Sequence, residues 1–240
     1  MSDDQDIFRR SMDANIGHYI DQTVVLDIET ASIPDVTRYL NTDLHPPKNY
    51  KKAESIESWK VDAIRKQVDT AALDPDLCRV VAIGLWPEDG KIESTLATTQ
   101  DEEREMITAL WKTLYRARVV GFNIVGFDLP VLLRRSLYLG IKGAPYFNLN
   151  KYRPSMNIVD LMVELSMRGV LSYRSLKWYA KRFGLSHRTS GIEGRDIPML
   201  VKANHWDAIR QHVEDDVQLT GELATRMGIS YASWPVATAI

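Results

Sequence analysis

Short runs of β-branched and aliphatic residues alternate along the chain with longer stretches in which apolar positions recur every three or four residues. Thr23-Val24-Val25-Leu26-Asp27-Ile28 is a run of the first kind and reads as a buried strand that turns polar at its C-terminal end. Residues 31–52, broken by Pro34 and Pro46-Pro47, read as a loop. From Ala53 to Ala72 the positions Ile56, Trp59, Ala63, Ile64 and Val68 follow helical spacing. Arg79–Trp86 and Lys91–Thr98 are strands. Pro87-Glu88-Asp89-Gly90 between them carries the turn chemistry of a hairpin, because Pro presets φ and Gly accepts a positive one. Asp101–Arg116 is an amphipathic helix with Met106, Leu110, Trp111 and Leu114 on one side. Strand 118–123, helix 127–140, a short strand at 157–161 that runs into a helix, helix 173–184 and a long helix 205–227 complete the reading, with Gly191 and Gly194 marking a loop.

That order predicts an α/β fold around a mixed five-stranded sheet flanked by helices. No Pro/Gly/Ser-rich linker divides the 240 residues. A single domain over 1–240 is therefore expected, with 1–20 as a polar N-terminal extension and 31–72 as a loop-helix insertion between the first two strands.

Composition narrows the function classes. An apolar fraction of 45% with 26% charged residues is ordinary for a globular chain that builds a sizeable core. No apolar run approaches the ~20 residues of a membrane span, and the acidic, polar start MSDDQDIFRRSMD has the character of neither a signal nor a transit peptide. Cys78 is the only cysteine, which excludes a disulfide scaffold and a cysteine zinc finger and fits a reducing, cytoplasmic setting. A net charge of -2 excludes a general polyanion binder, so any nucleic-acid contact must be local or assisted by metal ions. No Walker A, Gly-x-Gly-x-x-Gly or Gly-x-Ser-x-Gly pattern is present.

Three acidic positions stand out against this background. Asp27 and Glu29 are two residues apart on a strand and project to the same face. There they repel each other and lose hydration, costs that a hard divalent cation would relieve. The alternative is that Glu29 leaves the sheet into solvent. Asp128, in Gly121-Phe122-Asn123-Ile124-Val125-Gly126-Phe127-Asp128-Leu129-Pro130, stands at a strand-to-helix junction. It serves there as a helix N-cap, a metal ligand, or both, since a carboxylate has two oxygens. In the last helix, advancing ~100° per residue from Ile209 puts Asp216 inside the apolar stripe and Asp215 outside it. An inward carboxylate requires a cation or hydrogen bonds. His212, four residues earlier, lies at the edge of the same stripe, so a plain His–Asp hydrogen bond is the competing account.

Together, Val25-Leu26-Asp27-Ile28-Glu29-Thr30, Asn123 followed four residues later by Phe127-Asp128, and His212-Val213-Glu214-Asp215-Asp216-Val217 resemble the three motifs of the DEDD superfamily (DnaQ-like) of 3′–5′ exonucleases. The branch they resemble is the one related to the proofreading domain of family B DNA polymerases. Similarity extends to Ala71-Ala72-Leu73-Asp74-Pro75, to Ser175-Leu176-Lys177 through Phe183-Gly184-Leu185, and to Gly191-Ile192-Glu193-Gly194. One departure is His212: that branch usually carries Tyr four residues before the last Asp, while the histidine branch spaces its His five residues before it.

The resemblance implies a ribonuclease-H-like fold and two divalent cations, Mg²⁺ or Mn²⁺, held by Asp27, Glu29, Asp128 and Asp216. One would activate a water and the other stabilise the leaving 3′-oxygen. It gives His212 the role of accepting or orienting the water's proton, and makes Thr30, Asn123 and Phe127 candidates for contacts to the terminal nucleotides. Asn123 and Phe127 read equally as a strand-end hydrogen bond and a core ring, and Asp160 as a supporting carboxylate or a turn residue. The implied reaction removes 5′-nucleoside monophosphates from single-stranded DNA or frayed 3′ ends. RNA and a dormant nucleic-acid-binding or docking module are the competing readings. Proofreading would require a partner chain, a polymerase or repair protein. Lys48, Lys51 and Lys52, like Lys181, Arg182 and Arg188, form either a solvated face or a guide for a single strand.

Overall fold

A computed structural model describes residues 20–88, 90–144, 147–150, 155, 157–185 and 191–229. The N-terminal lead-in through residue 19, Asp89, His187 and Arg188 lie outside the described residues. The sheet has five strands in the order β3-β2-β1-β4-β5: β1 Gln22–Ser32, β2 Cys78–Pro87, β3 Glu93–Leu96, β4 Ala117–Gly121 and β5 Ile158–Asp160. β1 runs antiparallel to β2 and parallel to β4, and β4 parallel to β5, so the sheet is mixed as expected.

β1 is longer than its β-branched run. The expected loop from residue 31 begins only after Ser32, because Ala31 and Ser32 still pair with Arg79 and Cys78. Asp27 and Glu29 therefore lie within the strand rather than closing it. The register shifts by one between Glu29 and Thr30, which pair with Ala82 and Val80, leaving Val81 as the extra residue of a β-bulge beside the acidic pair.

The two faces of β1 are chemically distinct. Val24, Leu26 and Ile28 pack with Met106, Ile107, Leu110, Trp111 and Leu114 of helix α2 (Gln100–Leu114) and with Leu129, Val131 and Leu132 of α3 (Asp128–Tyr138). Each such aliphatic side chain fully buried contributes about 1.5–3 kcal/mol. The opposite face, with Val25 and Ala31, packs against α7 (Trp206–Arg226), helped by α5 (Leu176–Arg182) and α6 (Ile197–Lys202). The remaining helices are α1 (Ala53–Thr70) in the insertion and α4 (Leu161–Leu165) after β5.

Several element boundaries differ from expectation for local reasons. The helix expected from Tyr173 starts at Leu176, because the Ser175 hydroxyl caps it by accepting the Trp178 N–H. α2 starts one residue earlier than expected, behind a reciprocal cap between Thr99 and Glu102. The loop expected around Gly191 and Gly194 is followed by α6, with Pro198 in its first turn. In the insertion none of the eighteen residues of α1 is buried. The helix is held to the preceding loop by a two-way amide exchange between Asn41 and Gln67. No helix among the described residues is long and apolar enough to cross a membrane.

Candidate active site

The acidic pair of β1 lies on the face that α7 covers. Gly84 on β2 pairs directly with Asp27, and a Cβ there would fall 2.7 Å from Val217 Cγ2 and 2.9 Å from Val213 Cγ2. The bare glycine lets α7 settle onto the sheet at this point. His212 and Asp216, which flank Val213 and Val217 in sequence, are thereby carried to the carboxylates of β1. His212 Nε2 is 3.3 Å from Glu29 Oε1 and 3.9 Å from Asp216 Oδ2. One ligand atom each from Glu29, His212 and Asp216 lie within 4.8 Å of one another, close enough to share a cation. The helical-wheel argument that turned Asp216 inward agrees with this geometry. Asp215 instead accepts a hydrogen bond from Gln211 on the exposed side.

Asp128 approaches from the other parallel edge of β1. It is the first residue of α3, and Phe127 is the N-cap with no side-chain cap hydrogen bond, so the plain capping account of Asp128 does not hold. The carboxylate is buried and accepts backbone N–H groups, among them that of Ile28. Its Oδ1 has no hydrogen-bond partner among the described residues. An acceptor left open in a buried carboxylate is costly unless a cation or water fills the space in front of it.

The junction that presents Asp128 is built by residues with strict local requirements. Asn123 adopts φ +63, a left-handed conformation that Asn tolerates better than most residues. Its carbonyl accepts the N–H groups of Gly126 and Phe127. Asp160, almost fully buried, clasps the loop: Oδ1 accepts the N–H of Asn123 at 2.9 Å and Oδ2 that of Val125 at 3.0 Å, while Oδ1 also caps α4 through Met162 N–H. Asn123 takes part through its main chain, and through these bonds Asp160 supports the segment that carries Asp128. The Phe127 ring is half-buried and packs against the core on the α2 and α3 side. The hydroxyl of Thr30 donates to the Ala72 carbonyl at 2.6 Å, tying the end of the insertion to β1.

Electrostatically these residues act as one body. Burial raises the Asp27 carboxyl well above the usual range, and Asp128, Glu29 and Asp216 raise it further. Glu29 is raised by burial and then by Asp216 and Asp128, while Lys177 pulls it back down. Asp128 is pushed up to about 7, mainly by burial, against backbone N–H groups that lower it. His212 is held below its ordinary value by burial first; Asp216 opposes this and Lys177 adds to it. Four carboxylates in one cluster, three of which raise the carboxyl of Asp27, are a site poised for positive charge. Hard oxygen donors with an unfilled buried acceptor fit Mg²⁺ or Mn²⁺.

Lys177 was not among the sequence candidates. It sits on α5, donates to the Ile192 carbonyl at 3.3 Å, and its ammonium acts on both Glu29 and His212. A lysine on a short helix carries no periodic signal, and only the packing of α5 beside α7 brings it to the site. A cavity of about 740 Å³ opens elsewhere, beside Arg79, Arg135 and Tyr138.

This sheet order, with carboxylates converging on its central strand from a neighbouring strand-to-helix junction and a covering helix, defines an α/β protein of the ribonuclease-H-like class. Comparison with known proteins agrees. The family B DNA polymerase from the hyperthermophilic archaeon Pyrobaculum calidifontis is similar to this chain with a TM-score of 0.58 and 19% identity, over 86% of this chain and 24% of that one. The chain thus corresponds to about a quarter of that polymerase's length, and the likeness shows the shared fold. A search of curated proteins gave no match. Residues 72–228 match the family described as predicted 3′–5′ exonucleases related to the exonuclease domain of PolB, and the chain belongs to that family. The matched stretch contains Asp128, Asp160, Lys177, His212 and Asp216; Asp27 and Glu29 precede it and join the group through the sheet.

Proposed function

We propose that the chain is a metal-dependent 3′–5′ exonuclease that removes nucleoside 5′-monophosphates from the 3′ end of single-stranded DNA. The observation that carries this reading is the convergence of Asp27, Glu29, Asp128 and Asp216, in which Glu29, Asp128 and Asp216 all raise the affinity of Asp27 for protons. The open Oδ1 of Asp128 supports it. In this reading the four carboxylates hold two divalent cations, Mg²⁺ or Mn²⁺. Such ions supply a water of lowered pKa and charge stabilisation for the departing 3′-oxygen.

The residues of the chain do the rest. His212 is kept neutral by burial at neutral pH, so its Nε2 is available to accept a proton as water adds to phosphorus and the bond from phosphorus to the 3′-oxygen breaks. Glu29, 3.3 Å from that nitrogen, accepts from the new Nε2–H and stabilises the imidazolium that results. Lys177 adds a fixed positive charge beside Glu29, which limits the repulsion that the carboxylates exert on a phosphodiester. Asn123 holds the loop of Asp128 through its main chain, and Phe127 and Thr30 remain the candidates for contact with the terminal nucleotide.

The test is a 5′-labelled single-stranded DNA oligonucleotide incubated with Mg²⁺ or Mn²⁺, with EDTA, and with Asp216→Ala, alongside an RNA copy. A ladder that shortens from the 3′ end only with wild type and metal supports the proposal. Faster loss of the RNA would reassign the substrate, and no shortening of either polymer would leave a docking module.

A further inference from the structure

Helix α5 joins the carboxylate site to a surface that the chemistry above leaves unused. Its inner residues Tyr179 and Ala180 are buried, and Lys177 faces the carboxylates. Trp178, Lys181 and Arg182 stand at i, i+3 and i+4 and share the outer face. Trp178 is 44% exposed, a large aromatic surface to leave in water. Arg174, just before the helix, stacks its guanidinium over the indole at 5.5 Å from the ring centroid. Arg174, Lys181 and Arg182 have no carboxylate partner among the described residues.

The turn after α4 precedes this patch in the chain. There Met167 and Arg168 hold positive φ angles of 52 and 58, followed by Gly169, and Val170 and Leu171 turn outward at 83% and 53% exposure. Aromatic packing also links the patch to the site. Trp178 meets Tyr179 edge-on at 5.1 Å, and Tyr179 meets Phe122, the neighbour of Asn123, at 6.2 Å.

We propose that this outer face of α5 is the platform for the single strand behind the 3′ end. Trp178 and Arg174 stack against a base, and Lys181 and Arg182 hold the adjoining phosphates. The proposal rests on the exonuclease reading for the direction of the strand. A DNA single strand is the occupant that the surface fits, because it offers flat apolar rings and negative charge at alternating positions, as the patch offers indole and unpaired cations. Glu164, in the helix before this turn, already pairs with Arg168.

The experiment measures fluorescence anisotropy of a 5′-labelled single-stranded DNA 12-mer, in EDTA so that no turnover occurs, over a salt series. Circular dichroism verifies that each variant is folded. Trp178→Ala should weaken binding roughly tenfold, and Trp178→Phe should retain most of it. Lys181→Gln with Arg182→Gln should weaken binding and flatten the salt dependence by about 1.4 in log–log slope, at ~0.7 per phosphate contact on a single strand. Wild-type affinity in all variants, or no binding by wild type, would overturn the platform. The 5′-labelled ladder assay separates the two proposals. If wild type shortens the strand while Trp178→Ala binds it normally, the platform falls and the exonuclease stands. If binding depends on Trp178 but nothing is shortened with Mg²⁺ or Mn²⁺, the exonuclease falls and the platform stands.

Discussion

Asp128→Asn should make the metal-free protein more stable, although it removes a carboxylate from the heart of the site. In the fold that carboxyl is lifted from 3.8 to about 7, chiefly by burial. Between those two pH values the folded chain keeps a proton that the unfolded chain has already lost. Stability therefore falls as pH rises through this window, and the loss is complete above pH 7. At about 1.4 kcal/mol for each tenfold change in proton concentration, the ionised carboxylate costs the fold on the order of 4 kcal/mol. Asparagine has nearly the same shape and keeps one oxygen to accept the Ile28 N–H, so the substitution removes the charge and little else. For a chain of this length about 1 kcal/mol moves Tm by roughly 2–4 °C. Thermal melts in EDTA should then show the variant above wild type by up to roughly 8–16 °C at pH 8, with the gap closing toward pH 4. Adding Mn²⁺ should raise wild type more than the variant, because an ion bound only to the folded state stabilises by mass action. A variant that melts below wild type at pH 8 in EDTA, or a gap that ignores pH, would refute the electrostatic account.

Three further outcomes follow from the geometry. Gly84→Ala should cost about 1–3 kcal/mol in urea denaturation by pushing Val213 and Val217 off the sheet, and should lower activity as His212 and Asp216 move with them. Normal activity in a destabilised variant would separate α7 seating from the site. His212→Ala should lower kcat by roughly 10²–10⁴ with little change in KM. Because burial holds the imidazole below 6.5, the acidic limb of the wild-type kcat/KM profile should fall below pH 6.5, and a limb above that value would assign it to another group. Arg135→Leu should cost about 3–5 kcal/mol in urea denaturation, because it strands a fully buried Glu103. A cost under 1 kcal/mol would mean that the pair is not what holds α2 to α3.

Much of the site was legible because it obeys simple periodicities. Alternation along β1 put Asp27 and Glu29 on one face, and the 3.6-residue repeat of α7 turned Asp216 inward while leaving Asp215 outside. The mixed character of the sheet followed from strands separated by helices and one hairpin. What escaped depends on contacts distant in sequence. β1 runs to Ser32 only because β2 is there to pair with it, and the bulge at Val81 has no signature in either strand alone. Lys177 reaches Glu29 through helix packing. Gly84 reads as an ordinary residue of a buried strand until α7 is seen to rest on it. α6 was hidden behind two glycines that suggested only a loop.

The wheel that found Asp216 would have found Glu103 as well, and the comparison shows where such reasoning must stop. Glu103, Met106, Ile107, Leu110, Trp111 and Leu114 fall at i, i+3, i+4, i+7, i+8 and i+11, one face of a helix, and all six are buried. A carboxylate in an apolar stripe is thus flagged twice in this chain, once structurally and once functionally. Hydrogen bonding tells a structural carboxylate from one of the site, as Glu103 and Asp128 show. Glu103 accepts both arms of the Arg135 guanidinium at 2.8 Å and the Val80 N–H at 2.8 Å, so its charge is fully answered within the protein. Asp128 keeps an oxygen without a donor, in a cluster where neighbouring acids raise one another. A fold can bury a satisfied ion pair for packing alone, but an acceptor left open among like charges lowers stability until something positive arrives. That cost is what Asp128→Asn would remove, and it is the physical reason to look for the cation at Asp128 and not at Glu103.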